Sequence, residues 1–302
     1  MDSKLYVLQP SVKSITFPEL GRHHLKGRIL VLNLEGEVID SIKLDLNLAP
    51  DGIQIDHEKG IIYWTNMGRE WNEFDGSIEK CDLNGMNHTT IVARGKIKTP
   101  KQLYLDAEND WLYWCEREGR RVMRCRTDGS NIMPLIINIP NKTIKSDGLG
   151  ECVGLALDKG NNKIYWTEKG PSKGNKGKIL RANIEIPNGE TANSRSDIEI
   201  VLDNLPEPID LELDDFNGLL FWTDRGMPPK GNTLNCAKIT QASLTEHRII
   251  CGGFNEAIGL ALNKKKSMAY VSDLSGSVYK VDLTSGKKTL CFNGGIITGL
   301  VL

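Results

Sequence analysis

Carboxylates and cations recur in this chain at matched places. Glu151, Glu207 and Glu256 each stand three residues ahead of an aligned position that reads Gly154, Asp210 and Gly259. In other copies of the same phrase that position reads Gly52, Gln102 and Gly299, with Asp51 and Lys101 beside the first two of these. Several oxygens brought to one mouth are what a hard divalent cation such as Ca²⁺ requires, so Glu151, Glu207, Asp210 and Glu256 form a candidate metal set. The same groups suit a cationic or polyhydroxylated ligand, and acids at strand entrances can also simply cap backbone amides. Carboxylates crowded together raise one another's pKa, as acid–base catalysis needs, which makes Asp210 and Glu207, with Arg225, the candidate catalytic residues. Arg117, Lys169 and Arg225 each follow directly on an acid, Glu116, Glu168 or Asp224, and three cations so placed suit a carboxylate or phosphate. Arg69 and Trp71 join Asp51, Lys101, Gln102, Glu116, Arg117, Lys169 and Asp224 as candidate ligand-binding residues. His23 and His24 lie in the first long link.

These residues are positioned by a repeat of about fifty residues. Its most legible phrase is Tyr63-Trp64-Thr65-Asn66, then Tyr113-Trp114-Cys115-Glu116, Tyr165-Trp166-Thr167-Glu168 and Phe221-Trp222-Thr223-Asp224, with weaker copies at Tyr270-Val271-Ser272-Asp273 and Tyr6-Val7-Leu8-Gln9. Such a period marks a supersecondary unit that buries its apolar face only against its neighbours. Each unit shows four short strand signals. An apolar run ending in an acid or amide comes first, such as Gly52-Ile53-Gln54-Ile55-Asp56. The aromatic phrase follows, then a third strand, then a turn such as Asn84-Gly85 and a fourth strand. Four antiparallel strands arrayed radially describe a propeller blade. The expected fold is therefore all-β, a six-bladed β-propeller in one domain spanning 1–302. The blades are expected near 1–48 plus 297–302, 49–97, 98–150, 151–205, 206–254 and 255–296. The chain opens at a second strand and closes with Thr298-Gly299-Leu300-Val301-Leu302, a copy of the first-strand phrase, so the C-terminal strand should complete the first blade.

Loop lengths point to one face. First-to-second turns are short, whereas second-to-third links are long in the first, second, fourth and fifth blades, and the link from 138 to 150 adds to the same side. Long links without strand character tend to carry function. A formal net charge of −1, from 38 basic and 39 acidic side chains, gives no field to attract nucleic acid or an anionic membrane. The seven cysteines show no zinc or redox spacing and read as buried thiols of a cytoplasmic protein. No Gly-x-Gly-x-x-Gly, Walker loop or Gly-x-Ser-x-Gly elbow is present, which argues against nucleotide-dependent redox or phosphoryl chemistry and against a serine hydrolase.

The Tyr-Trp-Thr-Asp phrases, with Pro50-Asp51-Gly52 ahead of them, resemble the YWTD six-bladed propeller of the low-density lipoprotein receptor family, from Tyr6 to Leu302. Without flanking disulfide-rich modules, the chain looks more like stand-alone microbial YWTD-repeat proteins. The resemblance implies fold, and it implies that the phrase is structural: aromatics packed between blades, hydroxyl and acid bonded to neighbouring backbone. By fold analogy alone, calcium-dependent lactonases of the gluconolactonase type carry a metal at the channel mouth. The expected function is a small-molecule site at the long-loop mouth, with metal-assisted or acid–base hydrolase, lyase or cyclase chemistry. The alternative is a non-enzymatic scaffold that binds a protein partner. If the phrase is structural, Trp166→Ala should cost roughly 3–5 kcal/mol in chemical denaturation, through the cavity it leaves.

Overall fold

Continuous apolar runs such as Ile61-Ile62-Tyr63-Trp64 and Cys152-Val153-Gly154-Leu155-Ala156-Leu157 give each sheet two faces to bury, and only a neighbouring sheet can cover them. A computed structural model describes residues 3–10, 27–44, 49–70, 73–138 and 148–302, and among these twenty-four strands form six four-stranded antiparallel sheets. Blade 1 holds β1 (Leu5–Gln9), β2 (Arg28–Leu32) and β3 (Val38–Lys43). Blade 2 holds β4 (Pro50–Asp56), β5 (Ile61–Asn66), β6 (Gly76–Asp82) and β7 (Thr89–Ile97). Blade 3 holds β8 (Pro100–Asp106), β9 (Trp111–Glu116), β10 (Arg121–Arg126) and β11 (Met133–Ile137). Blade 4 holds β12 (Cys152–Asp158), β13 (Lys163–Glu168), β14 (Gly177–Asn183) and β15 (Glu199–Leu205). Blade 5 holds β16 (Pro208–Asp214), β17 (Leu219–Asp224), β18 (Thr233–Ile239) and β19 (Leu244–Gly252). Blade 6 holds β20 (Ala257–Asn263), β21 (Met268–Asp273), β22 (Ser277–Asp282) and β23 (Lys288–Asn293). The last strand, β24 (Gly299–Val301), returns to pair antiparallel with β1, Leu8 opposite Gly299 and Tyr6 opposite Val301, as the terminal phrase predicts.

The core lies between blades. Trp166 packs toward blade 3, with Tyr113, Val122 and Leu135, while its neighbour Tyr165 packs toward blade 5, with Leu211 and Trp222. Successive side chains of a strand point to opposite faces, so one aromatic pair serves two interfaces. Trp64, Trp114, Trp166 and Trp222 are all fully buried. All seven cysteines are free thiols, five buried and two, Cys251 and Cys291, half-buried. Among the described residues no helix is long and apolar enough to cross a membrane.

The inner strands of blades 2 to 6 share one irregularity. In β4, Pro50 pairs with Asn66 and Ile53 with Trp64, so Asp51 and Gly52 together face Thr65. The same two-against-one bulge recurs in β8, β12, β16 and β20. A bulge leaves a backbone N–H without a ladder partner. The hydroxyl of the repeated phrase takes it. Thr65 Oγ1 accepts from Gly52 N–H (2.9 Å) and donates to the Lys101 carbonyl of the next blade (2.8 Å). Thr167 does the same with Gly154 and Ile209, and Thr223 with Asp210 and Ile258. In blade 1 Leu8 stands in the hydroxyl slot, and Thr298 Oγ1 reaches the Pro50 carbonyl of blade 2 instead (2.9 Å).

Deleting 297–302 should remove β24, strip the inner edge of β1 and open the ring. The expected outcome is loss of the cooperative thermal transition by circular dichroism; an unchanged melting curve would contradict closure.

Candidate functional site

The bulge residues form the mouth of the central channel. Because two residues face one, the strand bends and re-aims its side chains toward the axis. Beyond Cα there is little room. A Cβ on Gly52 would lie 2.6 Å from the Lys101 carbonyl oxygen, and one on Gly154 would lie 2.1 Å from that of Ile209. Gln102 and Asp210 fit in the same column because glycines flank each of them, Gly52 and Gly154 around one, Gly154 and Gly259 around the other.

Asp51 and Lys101, first bulge residues of adjacent blades, form a buried ion pair in which Lys101 Nζ donates to Asp51 Oδ2. Their side chains are 2% and 12% exposed. Burial pushes the Asp51 carboxyl up and the Lys101 ammonium down, each partly offset by its partner's charge. Arg117 and Arg225 act electrostatically on both. Asp51 Oδ1 is buried and has no hydrogen-bond partner among the described residues. A donorless carboxylate oxygen in such a place is costly.

The acidic column expected to bind metal is organised otherwise. Glu151 pairs with Lys169 (2.9 Å). Glu207 Oε1 takes Arg225 Nε and Nη2 (2.8 and 2.7 Å), and its Oε2 takes the backbone N–H of Lys173 (3.0 Å). Glu256 pairs with Lys173 (3.3 Å). Each glutamate meets its own cation rather than its fellow acids, since an unpaired charge in a half-dry wall is unfavourable. Among the described residues no three His, Cys, Asp or Glu side chains gather as metal ligands.

Asp210, expected as a catalytic acid, is held as a structural link. Its Oδ1 accepts from Leu211 N–H (3.0 Å) and its Oδ2 from Leu260 N–H of blade 6 (2.9 Å). Burial, with Glu212 adding to it, raises its pKa well above the usual carboxylate range. Gln102 Nε2 donates to the Thr298 carbonyl just before β24 of blade 1 (3.3 Å). Glu116 is fully buried, where it takes Arg121 Nε (2.9 Å) and the Trp114 indole (3.4 Å), so it is core rather than rim. Asp224 accepts from the N–H groups of Glu207 (3.0 Å) and Gly226 (2.9 Å), and burial pushes its pKa up to about 6. Arg117 pairs with Glu118, and Arg69 donates its backbone N–H to Asp75. Trp71, His23 and His24 lie outside the described residues.

Of the proposed ligand-binding and catalytic residues, Asp51 and Lys101 form an ion pair on which Arg117 and Arg225 act electrostatically, while Glu116, Asp224 and Asp210 are held by hydrogen bonds within the fold. Lys173 was missed by sequence reasoning: the 169–176 link folds over blade 5 to reach Glu207 and blade 6 to reach Glu256, which repeat alignment does not reveal. Glu212 was missed too. It lies two residues beyond Asp210 on the same side of β16, and burial, countered by Lys264, pushes its carboxyl up to about 7. Tyr104 of blade 3 feels its charge, second only to burial in pushing that hydroxyl up to about 12. Period-two spacing from Asp210 was the available signal.

A protein of Pyricularia oryzae named low-density lipoprotein receptor-related protein 1 is 40% identical to this chain over 311 aligned residues, covering 99% of this chain and 97% of that one. The chain belongs to the YWTD-repeat six-bladed β-propeller family. A 3-hydroxyacyl-CoA dehydrogenase-like protein, LAM1, of Cochliobolus heterostrophus is 38% identical over 274 residues, and the match spans 87% of this propeller but 57% of that protein. No protein-family model matches the chain. Among solved structures, the propeller overlays the nidogen/laminin complex with a TM-score of 0.72 at 18% identity, covering 99% of this chain and 98% of that one. It overlays a gluconolactonase of Xanthomonas campestris with a TM-score of 0.61 at 14% identity, covering 83% and 78%. These two structural likenesses concern fold alone.

The raised Glu212 pKa gives a pH dependence. The folded chain holds a proton between about 4.5 and 7 that the unfolded chain has released. Its contribution to stability is therefore full below pH 4.5 and is lost as pH rises through 7. Urea unfolding at pH 8 should show Glu212→Gln more stable than wild type by on the order of 2 kcal/mol, with the difference vanishing near pH 4.

Proposed function

We propose that this YWTD propeller binds a small polar molecule, a hydroxylated carboxylate or its lactone, at the channel mouth. The observation that carries the reading is the buried Asp51 carboxylate, paired on one oxygen to Lys101 and, among the described residues, without a donor on the other, beside two arginines. A ligand hydroxyl supplies the missing donor to Asp51 Oδ1. Lys101, with Arg117 and Arg225, attracts the acceptor or anionic end. Burial draws the pKa values of Asp51 and Lys101 toward each other, which eases proton exchange between them. With a lactone or ester, Asp51 takes a proton from the attacking water as its oxygen bonds to the carbonyl carbon. The alkoxide leaves when the tetrahedral intermediate collapses and takes a proton from Lys101. Transfer of the proton from Asp51 to Lys101 then restores the pair. The fold-level neighbourhood of a gluconolactonase is compatible with this chemistry but does not carry it.

A second reading, a surface that docks another protein, is favoured by the near full-length overlay on a propeller crystallised in a nidogen/laminin complex. The two readings separate on the same variants. Calorimetric titration with D-gluconate and pH-stat assay with D-glucono-lactone should give saturable binding or turnover in wild type. Both should fall at least about tenfold in Lys101→Met and in the rim variant Arg117→Met, while the melting curve of Arg117→Met stays cooperative. No binding and no turnover in a cooperatively folded wild type would reject the small-molecule reading.

A further inference from the structure

The first bulge residues of the inner strands divide into two kinds. Asp51 and Lys101 carry charge, whereas the same position in blades 4, 5 and 6 holds Val153, Ile209 and Ile258. Those three are buried and pack as one apolar cluster, with Leu274 against them. The ion pair thus shares its tier of the ring with side chains that offer water no hydrogen bond.

The Lys101 amine is under-used. A lysine ammonium carries three donors. Among the described residues Nζ meets Asp51 Oδ2 and, at 3.3 Å, the thioether sulfur of Met67, a weak acceptor. Lys169, at the same mouth, has Glu151 and the Gly170 carbonyl instead (2.9 and 3.0 Å). Burial pushes the Lys101 ammonium below its ordinary pKa, and the charges of Arg117 and Arg225 push the same way, against Asp51. A desolvated lysine beside other cations is the setting in which an amine lone pair becomes available near neutral pH. Its proton passes to Asp51 along the hydrogen bond already in place.

We propose that Lys101 is a nucleophile that forms an imine with a small 2-hydroxyaldehyde, the carbonyl carbon meeting Nζ and the hydroxyl donating to Asp51 Oδ1. This rests on the mouth being a small-molecule site and adds covalent chemistry to it. Nζ attacks the carbonyl carbon, the π pair moves to oxygen, and one proton shifts from nitrogen to that oxygen to give a carbinolamine. The Asp51 carboxyl then protonates the hydroxyl. The C–O bond breaks, water leaves, and the nitrogen lone pair closes the C=N bond. The products are a protonated imine and the Asp51 carboxylate, so the positive charge that faced Asp51 is conserved and no oxidant or reductant is consumed. The apolar side of the ring limits the water that would reverse the step.

The test is reductive trapping on the whole chain near neutral pH, with glycolaldehyde as the probe, sodium cyanoborohydride as the reductant and peptide mass mapping as the readout. A hydroxyethyl adduct should form on Lys101 at least about tenfold faster than on the exposed Lys96. A lysine serving only as half of a buried ion pair would be shielded and would react more slowly than Lys96, and that order of rates would overturn the inference. Acetaldehyde, which lacks the hydroxyl, should lose most of the preference for Lys101; an undiminished preference would overturn the Asp51 contact. Calorimetric binding of D-gluconate without a selective Lys101 adduct would reject the imine and leave the ligand reading standing. A selective adduct without gluconate binding would do the reverse.

Discussion

In three of the blades one hydroxyl group joins its sheet to the next. In blades 2, 4 and 5 it accepts the N–H that an inner-strand bulge has freed and donates to the carbonyl of the next inner strand. Inner strands of neighbouring blades make no ladder with each other, so these two-way contacts lie where sheets would otherwise meet only through side chains. A buried N–H and a buried carbonyl are satisfied at once, at the cost of one small side chain. The tryptophan that precedes the hydroxyl fills the gap toward the previous blade, so one four-residue phrase holds its sheet on both sides.

The same bulge creates the candidate mouth. Without the extra residue, Asp51, Lys101 and Asp210 would continue the alternation of a regular strand. With it, they gather around an axis so narrow that most of the second bulge positions are glycine. Crowding then sets the electrostatics. Charges brought into that wall lose water, and the structure answers by pairing them: Asp51 with Lys101, Glu151 with Lys169, Glu207 with Arg225, Glu256 with Lys173. What distinguishes the first pair is that its second carboxylate oxygen is buried and, among the described residues, meets no donor. The others serve largely to neutralise acids at strand entrances.

Away from the axis, repeats also depart from one another at single positions. Glu79 and Asn235 occupy equivalent places under a histidine that covers a tryptophan. Exchange of carboxylate for amide changes the group that the ring's Nε2 meets, Glu79 in blade 2 and the Asn235 amide oxygen in blade 5. Repetition supplies the scaffold, and divergence of single positions within it supplies candidate sites.

The sequence by itself determined the ring. Six copies of one phrase, short turns on one side and a terminal copy of the first-strand phrase were enough for blade number, strand order and closure, because these follow from periodicity and from the need to cover both sheet faces. It also set Asp51 and Lys101 beside Gly52 and Gln102 in adjacent blades. Tertiary structure alone decided which charged residues face one another. Column alignment put Glu151, Glu207 and Glu256 in one acidic set, yet each meets a cation, one of them from a link that crosses to another blade. Asp210 read as a reactive acid and proved to accept two backbone N–H groups, one from the neighbouring blade. Such pairings depend on distances between side chains remote in sequence, and a repeat pattern encodes the position of each within its blade but not the reach of its neighbours across the gap.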